Sequence, residues 1–233
     1  MKLSSLKAVC NALEQAGVRY LVAGGVAVVA HGYPRMTMDL DLVVQLNVDN
    51  IKAALKALEK QGYRPSAPIT ADDFADTAKR EQWIREKGMR VLNLFSNLYP
   101  ETQVDLFAAE PFDFEQEYEN ALRAELDPGL LVPIISIPTL ISMKKVLGEL
   151  WIMKMSGSCR RSSGRAAMDE KSEINWEETT WEGNRRLQIR RFLALSVHQR
   201  LECLESMCDL HRHMQKLRAE GKMSSIPDKK EQG

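Results

Sequence analysis

Residues 24–44 read GGVAVVAHGYPRMTMDLDLVV, and this stretch determines both the predicted fold class and the predicted chemistry of the 233-residue chain. The preceding residues 18–23, VRYLVA, predict a buried strand. Gly24 and Gly25 predict a tight turn in which the backbone can approach a ligand closely. The apolar run VAVVAHG then predicts a short helix, and DLDLVV predicts a second strand. The pattern is therefore strand, glycine turn, helix and strand.

Asp39 and Asp41 are the most informative side chains of this stretch. Side chains alternate between the two faces of a strand, so both carboxylates project from one face of the strand predicted at residues 37–44. Asp105, in the alternating segment TQVDLF, joins them if the two strands are neighbours. Like charges held close together are unfavourable without a cation, and Mg²⁺ prefers oxygen ligands. The three carboxylates therefore predict a metal site that can hold two ions.

This order of elements resembles the nucleotidyltransferase fold of the DNA polymerase β superfamily. That family has a glycine turn, a short helix, an Asp-x-Asp strand and a third acidic residue on a later strand. The matching residues are Gly24, Gly25, Asp39, Asp41 and Asp105. The fuller string GGxAxxxHGxxRxTxDLDL is similar to a branch of small bacterial nucleotidyltransferases that includes the AbiEii-type toxins of toxin–antitoxin systems. The resemblance covers roughly residues 18–145, and three motifs in order are more specific than a lone glycine loop.

The resemblance implies Mg²⁺-dependent transfer of a nucleoside monophosphate from an NTP to an acceptor, with release of pyrophosphate. Asp39 and Asp41 would hold the metals on the triphosphate, while Asp105 would bind the second metal and help to activate the acceptor hydroxyl. Backbone amides of the turn and three side chains would bind the nucleotide. These residues are Gly24, Gly25, Arg35, Thr37 and Lys144. Lys144 matches a lysine that relatives in this branch carry on a helix.

Each of these residues also has a purely structural interpretation. An Asp-x-Asp pair can belong to a solvated strand edge, although the glycine turn and the third acid argue against this here. Arg35, beside Pro34, can be a surface charge, and Lys144 can be a surface lysine. His31 is interpreted as a helix-end or packing residue rather than a catalytic one. Thr37 is interpreted as a support for the turn or the strand.

Composition and charge favour a folded, cytoplasmic protein. The chain is 44% hydrophobic and 27% charged, which suffices for a substantial core. No apolar run approaches membrane-spanning length, and the first 17 residues predict an amphipathic helix rather than a cleaved signal. Residues 1–140 carry 14 Lys/Arg against 19 Asp/Glu, so the remainder is the basic part of a chain of zero net charge. Its basic clusters could contact RNA phosphates or an acidic partner, although a solvated helix face explains them more simply.

The patterning divides the chain into four parts. Residues 1–147 are the predicted nucleotidyltransferase core, an α/β (α+β) fold with a small mixed sheet. Residues 148–172 are irregular, residues 173–222 predict a helical hairpin, and residues 223–233 predict a tail. The core is thus followed by a helical C-terminal part.

Within the core, helical spacing predicts a helix at residues 48–61 that Asn47 or Asp49 caps. Alternation predicts a strand at residues 89–95 beside the strand that carries Asp105. The glutamate-rich residues 113–129, in contrast, are expected to form a surface segment.

The hairpin is expected to begin at a cap on Thr179 or Thr180, and its second helix at a cap on Ser196. The second helix carries an apolar stripe of Leu201, Leu204, Met207, Cys208 and Leu210. Such a stripe is usually core or a surface for another helix. An exposed share of it would favour a homodimer or a cognate antitoxin.

Residues 148–172 depart from the pattern of the similar branch. Relatives continue after their lysine with a Gly-Arg pair and an acidic helix, whereas this chain reads GELWIMKMSGSCRRSSGRAAMDEKSEI. Permitted codons from Glu149 onward, read one base out of frame, give RALDYEDVRKLQEI, which is a helix of the expected type. Trp and Met each have a single codon, which restricts the choice. We therefore hypothesise two compensating frameshifts, in the gene or its sequencing, that span about Glu149 to Met168.

The sequence predicts a nucleotidyltransferase that transfers NMP to an RNA or protein hydroxyl, as the toxin of a two-gene system. One alternative is a small-molecule modifier that resembles aminoglycoside nucleotidyltransferases, and it would label a drug rather than a macromolecule. Another is a non-catalytic protein, either a nucleotide-binding or an antitoxin-like one, which would transfer nothing although folded.

Overall fold

The computed structural model of the chain describes residues 1–146 and 180–222, and side chains in the first range to residue 143. The predicted irregular segment 148–172, its hypothetical frameshifts and the tail 223–233 lie outside the described residues. Within the described ranges, seven strands form one sheet: β1 (Tyr20–Val22), β2 (Asp39–Val44), β3 (Tyr63–Pro65), β4 (Val91–Ser96), β5 (Gln103–Phe107), β6 (Leu122–Asp127) and β7 (Leu130–Ile134).

The order of strands across the sheet is β3-β4-β5-β2-β1-β7-β6. The pairs β1/β7 and β2/β5 are parallel and the other neighbours are antiparallel, so the sheet is mixed. The described helices are α1 (Leu3–Gln15), α2 (Gly24–Ala30), α3 (Val48–Lys60), α4 (Ala71–Ala75), α5 (Thr77–Lys87), α6 (Phe114–Asn120), α7 (Ile137–Val146), α8 (Trp181–Leu193) and α9 (Val197–Ala219). The predicted fold class, α/β with a mixed sheet and a helical C-terminal part, is confirmed.

The three strands at the centre of the candidate site, β2, β5 and β4, bury one face and carry the aspartates on the other. Their aliphatic side chains lie at paired positions and are almost fully buried: Leu40 and Leu42 on β2, Val104 and Leu106 on β5, and Leu92 and Leu94 on β4. Burying each such side chain contributes roughly 2 kcal/mol. Because strand side chains alternate, this packing directs the intervening residues to the opposite face.

Helix α3 covers this part of the sheet and has the predicted amphipathic form. Ile51, Ala54, Leu55 and Leu58 are buried at helical spacing. The side chain of Asn47 accepts a hydrogen bond from the Asn50 amide, so Asn47 rather than Asp49 is the N-cap.

Most of residues 113–129 are exposed, as expected of a surface segment. They also contain α6 and the edge strand β6, which pairs with β7 and which the sequence did not predict. Ala124 and Leu126 alternate with exposed residues and are buried. Glu117 is also buried, and its carboxylate accepts hydrogen bonds from the backbone and hydroxyl of Ser136 and from the Thr139 hydroxyl. At least one glutamate of this acidic segment, Glu117, therefore has a structural role through its buried hydrogen bonds.

Two C-terminal helices form as predicted, with Thr180 capping α8 and Ser196 capping α9. On α9, Leu201, Leu204 and Cys208 are buried, and Met207 is partly buried. Leu210 is 60% exposed, so its predicted place in the apolar stripe was wrong. It follows Leu201 by nine residues, which at 3.6 residues per turn places it on the opposite side of the helix.

Side chains connect helix α9 to α2, to α8 and to Lys2 beside α1. The Arg200 guanidinium donates hydrogen bonds to the carbonyl of Ala30 at the end of α2 and to the carbonyls of Phe192 and Leu193 on α8. The ammonium of Lys2 lies 2.8 Å from the Asp209 carboxylate. Among the described residues, no helix is both long enough and apolar enough to cross a membrane.

Candidate active site

Asp39, Asp41 and Asp105 lie on one face at the middle of the sheet. In the parallel pairing of β2 with β5, Asp41 is the direct partner of Asp105. In the antiparallel pairing of β5 with β4, Asp105 is also the direct partner of Asn93. The sheet thus aligns Asn93, Asp105 and Asp41 across three adjacent strands, with Asp39 two residues before Asp41.

This face of the sheet is open to solutes. Asn93 and Phe95 on β4 and Gln103 on β5 are exposed, in contrast to the buried leucines behind them. The three aspartates are half-buried. A ligand can therefore reach the carboxylates from this side.

The Asp41 side chain leaves no room for a side chain at residue 24, so this position requires glycine. The φ of Gly24 is +59°, and an added Cβ would lie 2.9 Å from the Asp41 Cβ and still closer to the carboxylate. The amide of Ala23 donates to the Asp41 carbonyl at 2.9 Å, which fixes the end of β1 against β2. The glycine turn and the aspartate are therefore packed into one unit.

Gly25 has a similar relation to Thr37. A Cβ on Gly25 would lie 2.9 Å from Cγ2 of Thr37 and closer to its other side-chain atoms. The backbone amide of Gly25 is also close enough to the Asp41 carboxylate to lower its pKa.

Burial and like charges shift the carboxylates toward the protonated form. The pKa of Asp41 is raised to about 6, first by burial and then by the charge of Asp105, with a smaller effect of Asp39. The Gly25 amide and the charge of Arg35 act in the opposite direction. Burial and the charge of Asp39 raise the pKa of Asp105, against the hydrogen bond from Asn93. A cation at this face would relieve both shifts.

The donor set fits Mg²⁺ by its chemistry. All three side chains offer carboxylate oxygens, which this hard cation prefers. Over residues 1–146 and 180–222, however, no three His, Cys, Asp or Glu side chains are assembled into a ready-made metal cluster. Mg²⁺ is commonly held by one or two carboxylates together with waters and substrate phosphates, so a closed protein cage is not required.

The predicted nucleotide-binding side chains have different surroundings. Arg35 is half-buried in the loop before β2, close enough for its charge to lower the pKa of Asp41. Thr37 lies in the same loop, and its hydroxyl is 3.5 Å from the Asp39 carbonyl. Lys144 lies on α7, but its side chain is outside the described part of the chain.

His31 ends α2, as predicted. Its Nε2 lies 2.7 Å from the carbonyl of Ile135, which links the end of α2 to the segment after β7. Burial lowers the pKa of His31, and the charge of Arg200 acts in the same direction. These contacts are those of a packing residue, at the end of α2 away from Gly24.

The C-terminal helices support the loop before β2, which the sequence did not predict. The Cys208 thiol is 3.3 Å from the Thr37 carbonyl, and a Cβ on Gly32 would lie 2.9 Å from Cγ of Leu193. Arg185 donates to the Tyr33 hydroxyl at 2.8 Å. Helices α8 and α9 therefore pack against the loop that carries Arg35 and Thr37.

No protein-family model matches the chain, and no curated protein matches it. A solved structure from Thermotoga maritima, described as a "putative nucleotidyltransferase", is similar over 66% of this chain and 89% of its own, with 12% sequence identity and a TM-score of 0.43. A likeness at this level carries no conclusion about the chemistry of this chain.

Proposed function

We propose that the chain is an Mg²⁺-dependent nucleotidyltransferase that transfers a nucleoside monophosphate from an NTP to a hydroxyl acceptor. The observation that supports this most is the pairing of Asp41 with Asp105 on neighbouring parallel strands, with Asp39 on the same open face. Three oxygen-donor side chains then border one accessible surface, which suits a metal-bound triphosphate.

Asp39 and Asp41 are proposed to hold the metal ions on the triphosphate, and Asp105 to hold the second one near the acceptor. Bound Mg²⁺ supplies neutralising charge to the phosphates. Asp105 also helps to activate the acceptor hydroxyl by accepting its proton. The hydroxyl oxygen bonds to the α-phosphorus, the bond from that phosphorus to pyrophosphate breaks, and pyrophosphate leaves with the electron pair.

The nucleotide is proposed to bind beside the glycine turn. Gly24 and Gly25 lack side chains against Asp41 and Thr37, so the turn stays close to the carboxylates. Arg35 would contact the anionic substrate, and Thr37 would hold the loop that carries it. Lys144 would add a phosphate contact from α7.

For the acceptor we propose an RNA or protein hydroxyl, with the chain acting as the toxin of a two-gene system. A cognate antitoxin or a second copy of the chain would then be its partner. Arg185 and Arg186 on α8 are exposed, Arg185 contacts Tyr33 in the loop before β2, and both are compatible with an anionic acceptor.

The direct test is label transfer. The purified chain is incubated with Mg²⁺, each of the four α-labelled NTPs, and total tRNA plus lysate. Label on a macromolecule that requires Mg²⁺ and disappears in Asp39→Asn is expected, and it identifies the nucleotide and the acceptor class. A folded wild-type chain that labels nothing under these conditions would contradict the proposal, and label on an added aminoglycoside alone would replace the macromolecular acceptor with a small molecule.

A further inference from the structure

We propose that Asn93 is a positioning residue that orients the Asp105 carboxylate for divalent-cation binding. This inference rests on the proposed function, because it assigns the metal to the face that carries Asp105. Asn93 does not belong to the Asp-x-Asp motif or to the glycine turn, and its place beside Asp105 follows from the pairing of β4 with β5.

The first support is a direct hydrogen bond. Nδ2 of Asn93 donates to Oδ1 of Asp105 at 2.8 Å, between residues that are direct partners across β4 and β5. On its other side, Asp105 is the direct partner of Asp41. Asn93 therefore holds one oxygen of a carboxylate that stands between it and Asp41.

The second support is the choice of residue. Asparagine is unfavourable in strands compared with β-branched or aromatic residues. Asn93 lies in the middle of β4, VLNLFS, and is exposed, so burial does not explain its presence. A residue that weakens its own strand and bonds to a candidate ligand is better explained by the site than by the fold.

The third support is the effect of this hydrogen bond on the orientation of the Asp105 side chain. Two carboxylates at paired positions repel each other, and an unrestrained Asp105 side chain can rotate away from Asp41. A bond from a neutral amide fixes the rotation without adding a charge that would compete with the cation. Residues that orient metal ligands in this way typically contribute about 10- to 100-fold to metal affinity.

Mn²⁺ binding to the full chain, followed by electron paramagnetic resonance, tests this role without relying on catalysis. Asn93→Leu removes the donor while keeping the number and branching of the side-chain heavy atoms, and Asn97→Leu is the matched control in the exposed turn after β4. We expect Asn93→Leu to weaken Mn²⁺ binding about tenfold. Its thermal unfolding midpoint should stay equal or rise, because leucine favours strands more than asparagine does. Asn97→Leu should leave the affinity unchanged.

The outcomes separate the two proposals. Saturable Mn²⁺ binding that is lost in Asp41→Asn but unchanged in Asn93→Leu would overturn the positioning role and leave the proposed function intact. Equal weakening in Asn93→Leu and Asn97→Leu would also overturn it, because the effect would then not depend on the bond to Asp105. A folded wild-type chain without saturable Mn²⁺ binding, both alone and with an NTP present, would overturn both proposals.

Discussion

The Cα of Gly24 lies against the side chain of Asp41, so closely that a Cβ on Gly24 would come within 2.9 Å of the Asp41 Cβ. The glycine also has φ +59°, which other residues adopt at a cost of about 1–2 kcal/mol. In Gly24→Ala both effects act together. We expect this variant to lose more stability in urea unfolding than the backbone cost alone, and to lose Mn²⁺ binding because Asp41 must move.

Gly88→Ala is the matched control for this prediction. Gly88 has φ +63°, and nothing lies within 4 Å of the Cβ that alanine would add. It therefore reports the cost of the backbone conformation without a collision. Equal destabilisation of the two variants, with metal binding retained in Gly24→Ala, would show that the contact with Asp41 is unimportant.

The buried charge of Asp41 should destabilise the metal-free protein at neutral pH. Its pKa is raised from 3.8 to about 6, so the folded state holds the proton more tightly than the unfolded state. The stability contributed by the protonated carboxyl is complete below about pH 4 and is lost as pH rises through 6. Asp41→Asn should therefore be more stable than the wild type at pH 7.5, by at most about 3 kcal/mol, with a smaller difference at pH 4.5.

Urea midpoints of both chains at the two pH values, in the presence of EDTA, measure this difference. Mg²⁺ should then stabilise the wild type selectively, since it binds the folded state and needs the carboxylate. A wild-type midpoint at or above that of Asp41→Asn at pH 7.5 without metal would contradict the prediction.

We expect the Arg200 side chain to contribute more to the free energy of unfolding than an exposed arginine does. Its guanidinium bonds to three carbonyls, those of Ala30, Phe192 and Leu193, which a single lysine ammonium cannot all reach. Arg200→Lys is expected to cost about 1–3 kcal/mol in urea unfolding, because polar groups at two helix ends lose their partners. Arg186→Lys changes an exposed arginine paired with Glu182 and should cost under about 0.5 kcal/mol. Similar costs for both would refute the role of Arg200.

The hypothesis of compensating frameshifts makes a prediction about the gene. Its codons from Glu149 to about Met168, read one base out of frame, should encode RALDYEDVRKLQEI, an acidic helix. Re-sequencing the gene then shows whether the shifts are in the DNA or in the recorded sequence. Codons that give no such helix in either displaced frame would exclude the hypothesis.

The parts of the site that the sequence predicted depend on local patterns. The alternation in DLDLVV is sufficient to place Asp39 and Asp41 on one face, and the position before an apolar repeat narrowed the cap of α3 to Asn47 or Asp49. Whether Asp105 joins them depends on which strands are neighbours, and local patterns in the sequence do not determine this. Asn93 was missed for the same reason, since its bond to Asp105 follows from the register between β4 and β5.

The missed strands have specific physical reasons. Strand β3 has three residues, follows a glycine and ends in Pro65, and proline argues against a strand. Only Ala124 and Leu126 of β6 are buried, so its acidic composition obscured the alternation. Nothing in the sequence near residue 37 indicated that Cys208 would contact the Thr37 carbonyl.

That last contact has a consequence for protein synthesis. The loop before Asp39 contacts a residue about 170 positions later, and Lys2 pairs with Asp209. A ribosome synthesises these supporting residues long after the three aspartates. The nascent protein therefore carries Asp39, Asp41 and Asp105 before the loop beside them is held in place, and we expect it to become competent only once α9 has been made and has packed on the core.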